Sequence, residues 1–207
     1  MTPVAWAAFA VGGIGAVANW WSRVRADAKV ELVTKPLVTI AMIVAALGID
    51  ARPEAARWWF VAGLLGCLAG DVALLPSVDR FIVGLASFLV GHLLFLVGAL
   101  IIGAQVNWTL GVVIAVVAVA AILAGPRIVR ASGPLKPAVG GYLVAISAMA
   151  VTIGATGRVA GAVGASAFVV SDTVLGWDAF VGRRKHAPVV IMVTYHLALA
   201  GLVLTLR

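Results

Sequence analysis

The chain has 207 residues, 63% hydrophobic and 11% charged, with a mean hydropathy of +1.14. That composition excludes a soluble globular domain and intrinsic disorder, and the single cysteine, Cys67, excludes a disulfide scaffold. Fifteen Lys and Arg against eight Asp and Glu leave a charge of +7, but no basic face interleaved with aromatics offers itself to a nucleic acid.

Eight apolar stretches approach the length of about 20 residues that a bilayer-spanning helix needs. The first, Thr2 to Ser22, is not read as a signal peptide, because its basic cluster (Arg23, Arg25) follows the apolar run instead of preceding it. The second, Pro36 to Ile49, is short and has room to extend back through Val33 and Leu32. Then come Trp58 to Pro76, with Cys67 as a small packing residue, Phe81 to Gly103, Asn107 to Ala124, and Pro137 to Thr156. Gly161 to Phe180 and Ala187 to Leu206 complete the set. The expected fold is all-α: a polytopic transmembrane helical bundle of about eight helices, one integral-membrane domain over residues 1–207.

The connectors hold the charges and the helix breakers. Those after the first, third, fifth and seventh spans carry eleven Lys and Arg, from Arg23 to Lys185, against four on the other side (Arg52, Arg57, Arg158, Arg207). The bias places the richer side in the cytoplasm and both termini outside, in a multi-pass protein of the cell membrane. Trp20, Trp21, Trp58, Trp59, Trp108 and Trp177 fall near span ends, where aromatic rings anchor at headgroup level.

Four ionisable residues remain inside spans: Asp71, His92, Asp172 and His196. A carboxylate at mid-bilayer costs at least about 2.5 to 3.5 kcal/mol, so such groups face the bundle interior and have partners. Counted from Arg80, Arg183 and Lys185 at about 1.5 Å per residue, the four lie roughly 13 to 18 Å deep, in one layer. Gly161, Ala165, Phe168, Asp172 and Gly176 follow each other at helical spacing, a face of mostly small residues on which neighbours approach the carboxylate; Gly66 and Gly70 do the same beside Asp71. A weak echo relates Gly70 to Leu74, Phe81 and His92 to Ser171 to Leu175, Phe180 and His196, as in a four-plus-four repeat.

At these positions the sequence resembles the YhhN-like lysoplasmalogenases. The resemblance is carried by Gly70-Asp71-x-x-Leu74, Phe81 with Gly84 and Phe88, His92, Phe168-x-x-Ser171-Asp172, and Lys35-Pro36-Leu37 before the second span. It covers nearly the whole chain, including the number of spans. The last span departs from the family pattern, reading Tyr195-His196-Leu197-Ala198-Leu199 in place of a Tyr-Tyr pair followed by a glutamine.

The resemblance implies hydrolysis of the vinyl ether bond of a lysoplasmalogen to a fatty aldehyde and a glycerophospho-base, without a cofactor. Such bonds are cleaved by acid through an oxocarbenium ion, so the site needs a proton donor and a nearby negative charge. Asp71 and Asp172 are the candidate catalytic pair: in a dry layer, burial and mutual repulsion keep one protonated while the other is ionised. His92 is placed to orient a carboxylate or relay protons, and Ser171 to bond its neighbour or the water. Lys35, at the cytoplasmic start of the second span, is a candidate phosphate contact or an ordinary anchor, and Tyr195 and His196 are further substrate-binding candidates. The expected partners are a lysophospholipid substrate and the bilayer. Two other classes stay open on the residues: a zinc-dependent amide or ester hydrolase using Asp71, His92, Ser171, Asp172 and His196, and a proton-coupled transporter. A serine hydrolase is disfavoured by the lack of a G-x-S-x-G elbow.

Overall fold

Thr2 and Asp27 start the first two helices, each with a side-chain oxygen accepting from backbone N–H groups that a first turn leaves unpaired. In the computed structural model, which describes residues 1–207, α1 spans Pro3–Arg25 and α2 spans Ala28–Gly48. The second helix thus begins about two turns before Pro36. Asp27 caps it, and Pro36, with no N–H to give, is carried inside at the loss of one backbone hydrogen bond. The chain continues through α3 (Glu54–Ala73), α4 (Phe81–Ile102), α5 (Trp108–Leu123) and a short α6 (Gly125–Ala131). After a 3-10 turn at Gly133–Leu135 come α7 (Lys136–Ala155), α8 (Val159–Gly176), prolonged by a π-helical turn at Trp177–Val181, and α9 (Ala187–Leu204).

Six of these helices are long and apolar enough to cross a membrane, and α5 with α6, bent by 44° where Gly125 and Pro126 interrupt the fifth span, makes up to seven. The eighth long helix, α3, is made less apolar by Glu54, Arg57 and Asp71, yet it packs against both α2 and α4. The molecule is therefore a polytopic helical bundle. Its outer face is apolar: Ile14, Val24, Ile122 and Val144 are each at least 69% exposed. Its interior buries Glu31, Lys35, Asp71, His92, Asp172 and His196. In water that inversion would be unstable; in lipid it is the expected arrangement.

Helix contacts repeat between the two halves. α3 packs on α2 and α4, α8 packs on α7 and α9, and the halves meet where α4 touches α7 and α9 touches α2. Two glycine crossings hold the tightest pairs. A Cβ on Gly66 would lie 3.1 Å from the backbone of Gly91, and one on Gly164 would lie 2.8 Å from the backbone of Gly201. α3 with α4 and α8 with α9 therefore approach backbone to backbone, as small-residue faces permit. At the end opposite the basic connectors, Arg158 closes the bundle by donating to the carbonyls of Thr205 and Arg52.

Candidate active site

Asp71, in the last turn of α3, is fully buried. A buried carboxylate needs partners, and three residues on two helices supply them. Thr39 of α2 and Tyr195 of α9 both donate hydroxyl hydrogens to Oδ2, the latter at 3.0 Å. Lys35, one turn before Thr39 on α2, places Nζ 3.9 Å from Oδ1. Because α2 starts at Ala28, Lys35 lies inside the helix, 3% exposed. It is a buried counter-ion to Asp71, not an anchor at a span end.

Asp172 on α8 has a separate set of partners. Tyr142 of α7 donates to Oδ2, and Nε2 of His92 on α4 lies 3.2 Å from the same oxygen and 3.1 Å from the Tyr142 hydroxyl. Oδ1 is left without a protein partner. His92 is held edge-on by Phe168 at 4.7 Å and by Tyr142 at 5.3 Å between ring centroids. Phe168 in turn meets Tyr195 at 5.6 Å, so rings join the surroundings of the two aspartates. The carboxylates do not hydrogen-bond each other, but both line one cavity of about 240 Å³.

That cavity opens at the basic end of the bundle. Arg23, Glu31, Asp79 and Asp178, from the ends of α1 and α2, the loop before α4 and the π-helical turn after α8, line its outer part. Arg23 is paired with Glu31. Asp71, Asp172, Lys35, Ser171 and Tyr195 line it further in, with Phe88 and Leu175 as apolar wall. It is a polar well with a mouth of mixed charge, reaching the layer that residue spacing implied. Asp172 is 9% exposed and Asp71 not at all, so Asp172 presents the more accessible carboxyl group.

The remaining candidates are more structural. Ser171 gives its hydroxyl hydrogen to the Ile191 carbonyl at 3.1 Å, tying α8 to α9, and not to Asp172. His196 points away from both aspartates: its Nδ1 accepts from Trp20 Nε1 at 2.9 Å, and the two rings stack. Trp20 is accordingly an interior tie between α1 and α9, not a headgroup anchor. Trp58 and Trp108, by contrast, are 58% and 66% exposed. Trp177 is flanked by the guanidinium groups of Arg127 and Arg184. No group of three His, Cys, Asp or Glu side chains is placed to hold a metal ion, so the geometry does not favour the zinc reading.

Two residues of the site escaped the sequence reading, Thr39 and Tyr142. Tyr142 had a signal: it is one of only two tyrosines in the chain, and both stand inside spans, where a phenol needs a partner. Thr39 had none, being one of several hydroxyl residues in apolar helices.

No curated protein and no solved structure matches the chain. A family model does, over residues 30–206, a range that holds Asp71, Asp172 and all of their side-chain partners. By that match the chain belongs to the YhhN family.

Proposed function

We propose that the protein is a membrane-embedded hydrolase that cleaves the vinyl ether bond of lysoplasmalogens. The observation that carries this reading is the cavity lined by both Asp71 and Asp172, which a lipid head can enter from the basic end, predicted to be cytoplasmic.

Asp172 is the better placed proton donor. Its Oδ2 is occupied by Tyr142 and His92, its Oδ1 is free, and it retains some exposure. In the step proposed, the Asp172 proton moves to the alkene carbon remote from the ether oxygen, leaving an oxocarbenium ion and an Asp172 carboxylate. Water adds to the carbon next to oxygen and gives its proton back to Asp172. The hemiacetal then loses its alcohol, with the hydroxyl proton passing to the departing oxygen. The products are a fatty aldehyde and a glycerophospho-base, with one water consumed.

Asp71 acts from the inner wall of the cavity. Its charge, offset by Lys35, fixes Tyr195 and Lys35 at the cavity surface, where both can meet the polar part of the substrate. Tyr142 and His92 hold the Asp172 carboxyl group in one orientation, which is what proton transfer to carbon requires.

The test is to incubate the purified protein with a lysoplasmalogen and, separately, with an ester lysolipid. Free aldehyde from the first and no fatty acid from the second is the expected result. Fatty acid from the ester, or uptake into vesicles without cleavage, would replace this reading with an esterase or a transporter.

A further inference from the structure

We infer that the crevice between α5, α6, α7 and α8 holds the hydrocarbon tail of a single-chain amphiphile whose head occupies the polar cavity, so that the head–tail junction lies at Asp172. This rests on the hydrolase reading for its substrate and adds to it the path of the chain.

The crevice measures about 320 Å³ and exists because of a local break. Gly125 and Pro126 interrupt the fifth span, and α6 leaves the line of α5 by 44°. The gap is walled by Val117, Ala120, Ile146 and Val169, and its rim residues Ala121 and Pro126 are exposed on the outer face of the bundle. Asp172 is the one ionisable side chain that lines it.

Asp172 also lines the polar cavity, and a void of about 20 Å³ that it borders as well lies between the two. The void is bounded by Phe81 and Leu175, which it shares with the polar cavity, and by Ile128 and Leu143, which it shares with the crevice. Polar well, void and apolar crevice thus all border Asp172, and the acid stands where polarity changes. Single-chain ether lipids have the same order: charged head, then the vinyl ether, then hydrocarbon. Seating each part in the matching surroundings brings the reacting carbon to Asp172. A chain entering from lipid gains little transfer free energy, since lipid tails are as apolar as the crevice. The crevice therefore acts through shape, setting register and chain length.

Two measurements test this. Ala121→Phe narrows the rim, while Ile122→Phe adds the same ring at a neighbouring position that is 72% exposed and does not line the crevice. With lysoplasmalogens of graded chain length, Ala121→Phe is expected to lower kcat/KM for the longest chain about tenfold more than for the shortest; Ile122→Phe keeps the parental profile. A uniform loss across lengths, an unchanged profile, or a changed oligomeric state with an unchanged profile overturns the assignment. Independently of turnover, a lysolipid with a mid-chain photoreactive diazirine should label α5 and α7 peptides that border the crevice, with labelling reduced in Ala121→Phe. Labelling confined to other faces of the bundle overturns the chain path. Labelling at the crevice without any aldehyde release would leave the path standing and remove the hydrolase reading.

Discussion

Tyr195 donates a hydrogen bond to Asp71 across 124 residues of sequence, from the α8–α9 hairpin to the α3–α4 hairpin. The reciprocal contact also exists: His92, on α4, meets Asp172, on α8. Each acid therefore takes an aromatic side chain's polar atom from the last helix of the opposite half, the Tyr195 hydroxyl for Asp71 and the His92 Nε2 for Asp172. Each also takes a hydroxyl from the helix before it in its own half, Thr39 of α2 for Asp71 and Tyr142 of α7 for Asp172. The weak echo in the sequence becomes a crossed arrangement in space. It couples the halves at the site itself, so the site forms only when the two halves pack together. The halves differ in one respect that matters for chemistry: Lys35 adds an ammonium group beside Asp71, whereas the partner of Asp172 at that distance is the His92 imidazole, with no Lys or Arg.

That asymmetry gives the first prediction. Asp172→Asn keeps an acceptor for Tyr142 and His92 but removes the proton that the reaction uses. Aldehyde release is expected to fall by about a hundredfold or more, the scale of general acid catalysis, with thermal stability near parental. Near-parental turnover by the purified variant would show that Asp172 is not the acid.

Tyr142→Phe removes one hydroxyl from a buried pair and leaves its ring in place against His92. Losing a donor to a buried carboxyl group costs about 1 to 3 kcal/mol, so kcat should fall roughly 5- to 150-fold with KM little changed. Measured kcat and KM on one lysoplasmalogen decide it. A rise in KM alone would make Tyr142 a substrate contact in place of a positioning residue.

The limits of the sequence follow from which physics it encodes. The long helices were legible because hydropathy, Gly and Pro are local signals; the start of α2 was not, because a capped helix in lipid carries a proline, Pro36, that would end one in water. Asp71, Asp172 and His92 were legible because charge inside an apolar run is costly and must be satisfied. Pairing was not: nothing local says that Trp20 seeks His196, 176 residues away, or that Lys35 faces inward. The bend at Gly125 and Pro126 was read as the end of a span, while the short helix after it, which shapes the crevice, depends on tertiary packing of Ile128.

Trp20→Phe tests whether the His196 contact is structural. The change deletes the 2.9 Å hydrogen bond from Nε1 and leaves Nδ1 of His196 unpaired beside its already unpaired Nε2. A loss of about 1 to 3 kcal/mol in stability is expected, with kcat for aldehyde release unchanged within about twofold. Thermal unfolding in detergent and initial rates below the transition measure both. A stable variant with a collapsed rate would put Trp20 in the catalytic machinery.

Gly164→Ala probes the crossing of α8, which carries Asp172, with α9, which carries Tyr195. The new methyl carbon would lie 2.8 Å from the Gly201 backbone, and backbone cannot swing aside as a side chain can. Overpacking of this kind costs about 1 to 3 kcal/mol. Gly13→Ala, where no atom lies within 4 Å, is the matched control. The Gly164 variant should unfold at a lower temperature and lose activity, while the Gly13 variant should do neither. Equal melting of the two would mean that the crossing tolerates more separation than the structure allows.

The Lys35–Asp71 pair permits a sharper separation of stability from chemistry. Both groups are buried and Nζ stands 3.9 Å from Oδ1. Removing one partner of such a pair strands the other charge and costs about 3 to 5 kcal/mol, whereas replacing both with neutral groups is often close to neutral. Lys35→Met and Asp71→Asn should each lower the unfolding midpoint, and the double variant should recover much of the loss, a coupling that a double-mutant cycle reads directly. Activity should follow a different pattern. If Asp71 fixes Tyr195 and Lys35 at the cavity wall, the double variant stays poorly active despite its restored stability. Recovery of both together would mean that the pair only holds the bundle closed, and would leave Asp172 with its Tyr142 and His92 partners as the whole of the acid-base machinery.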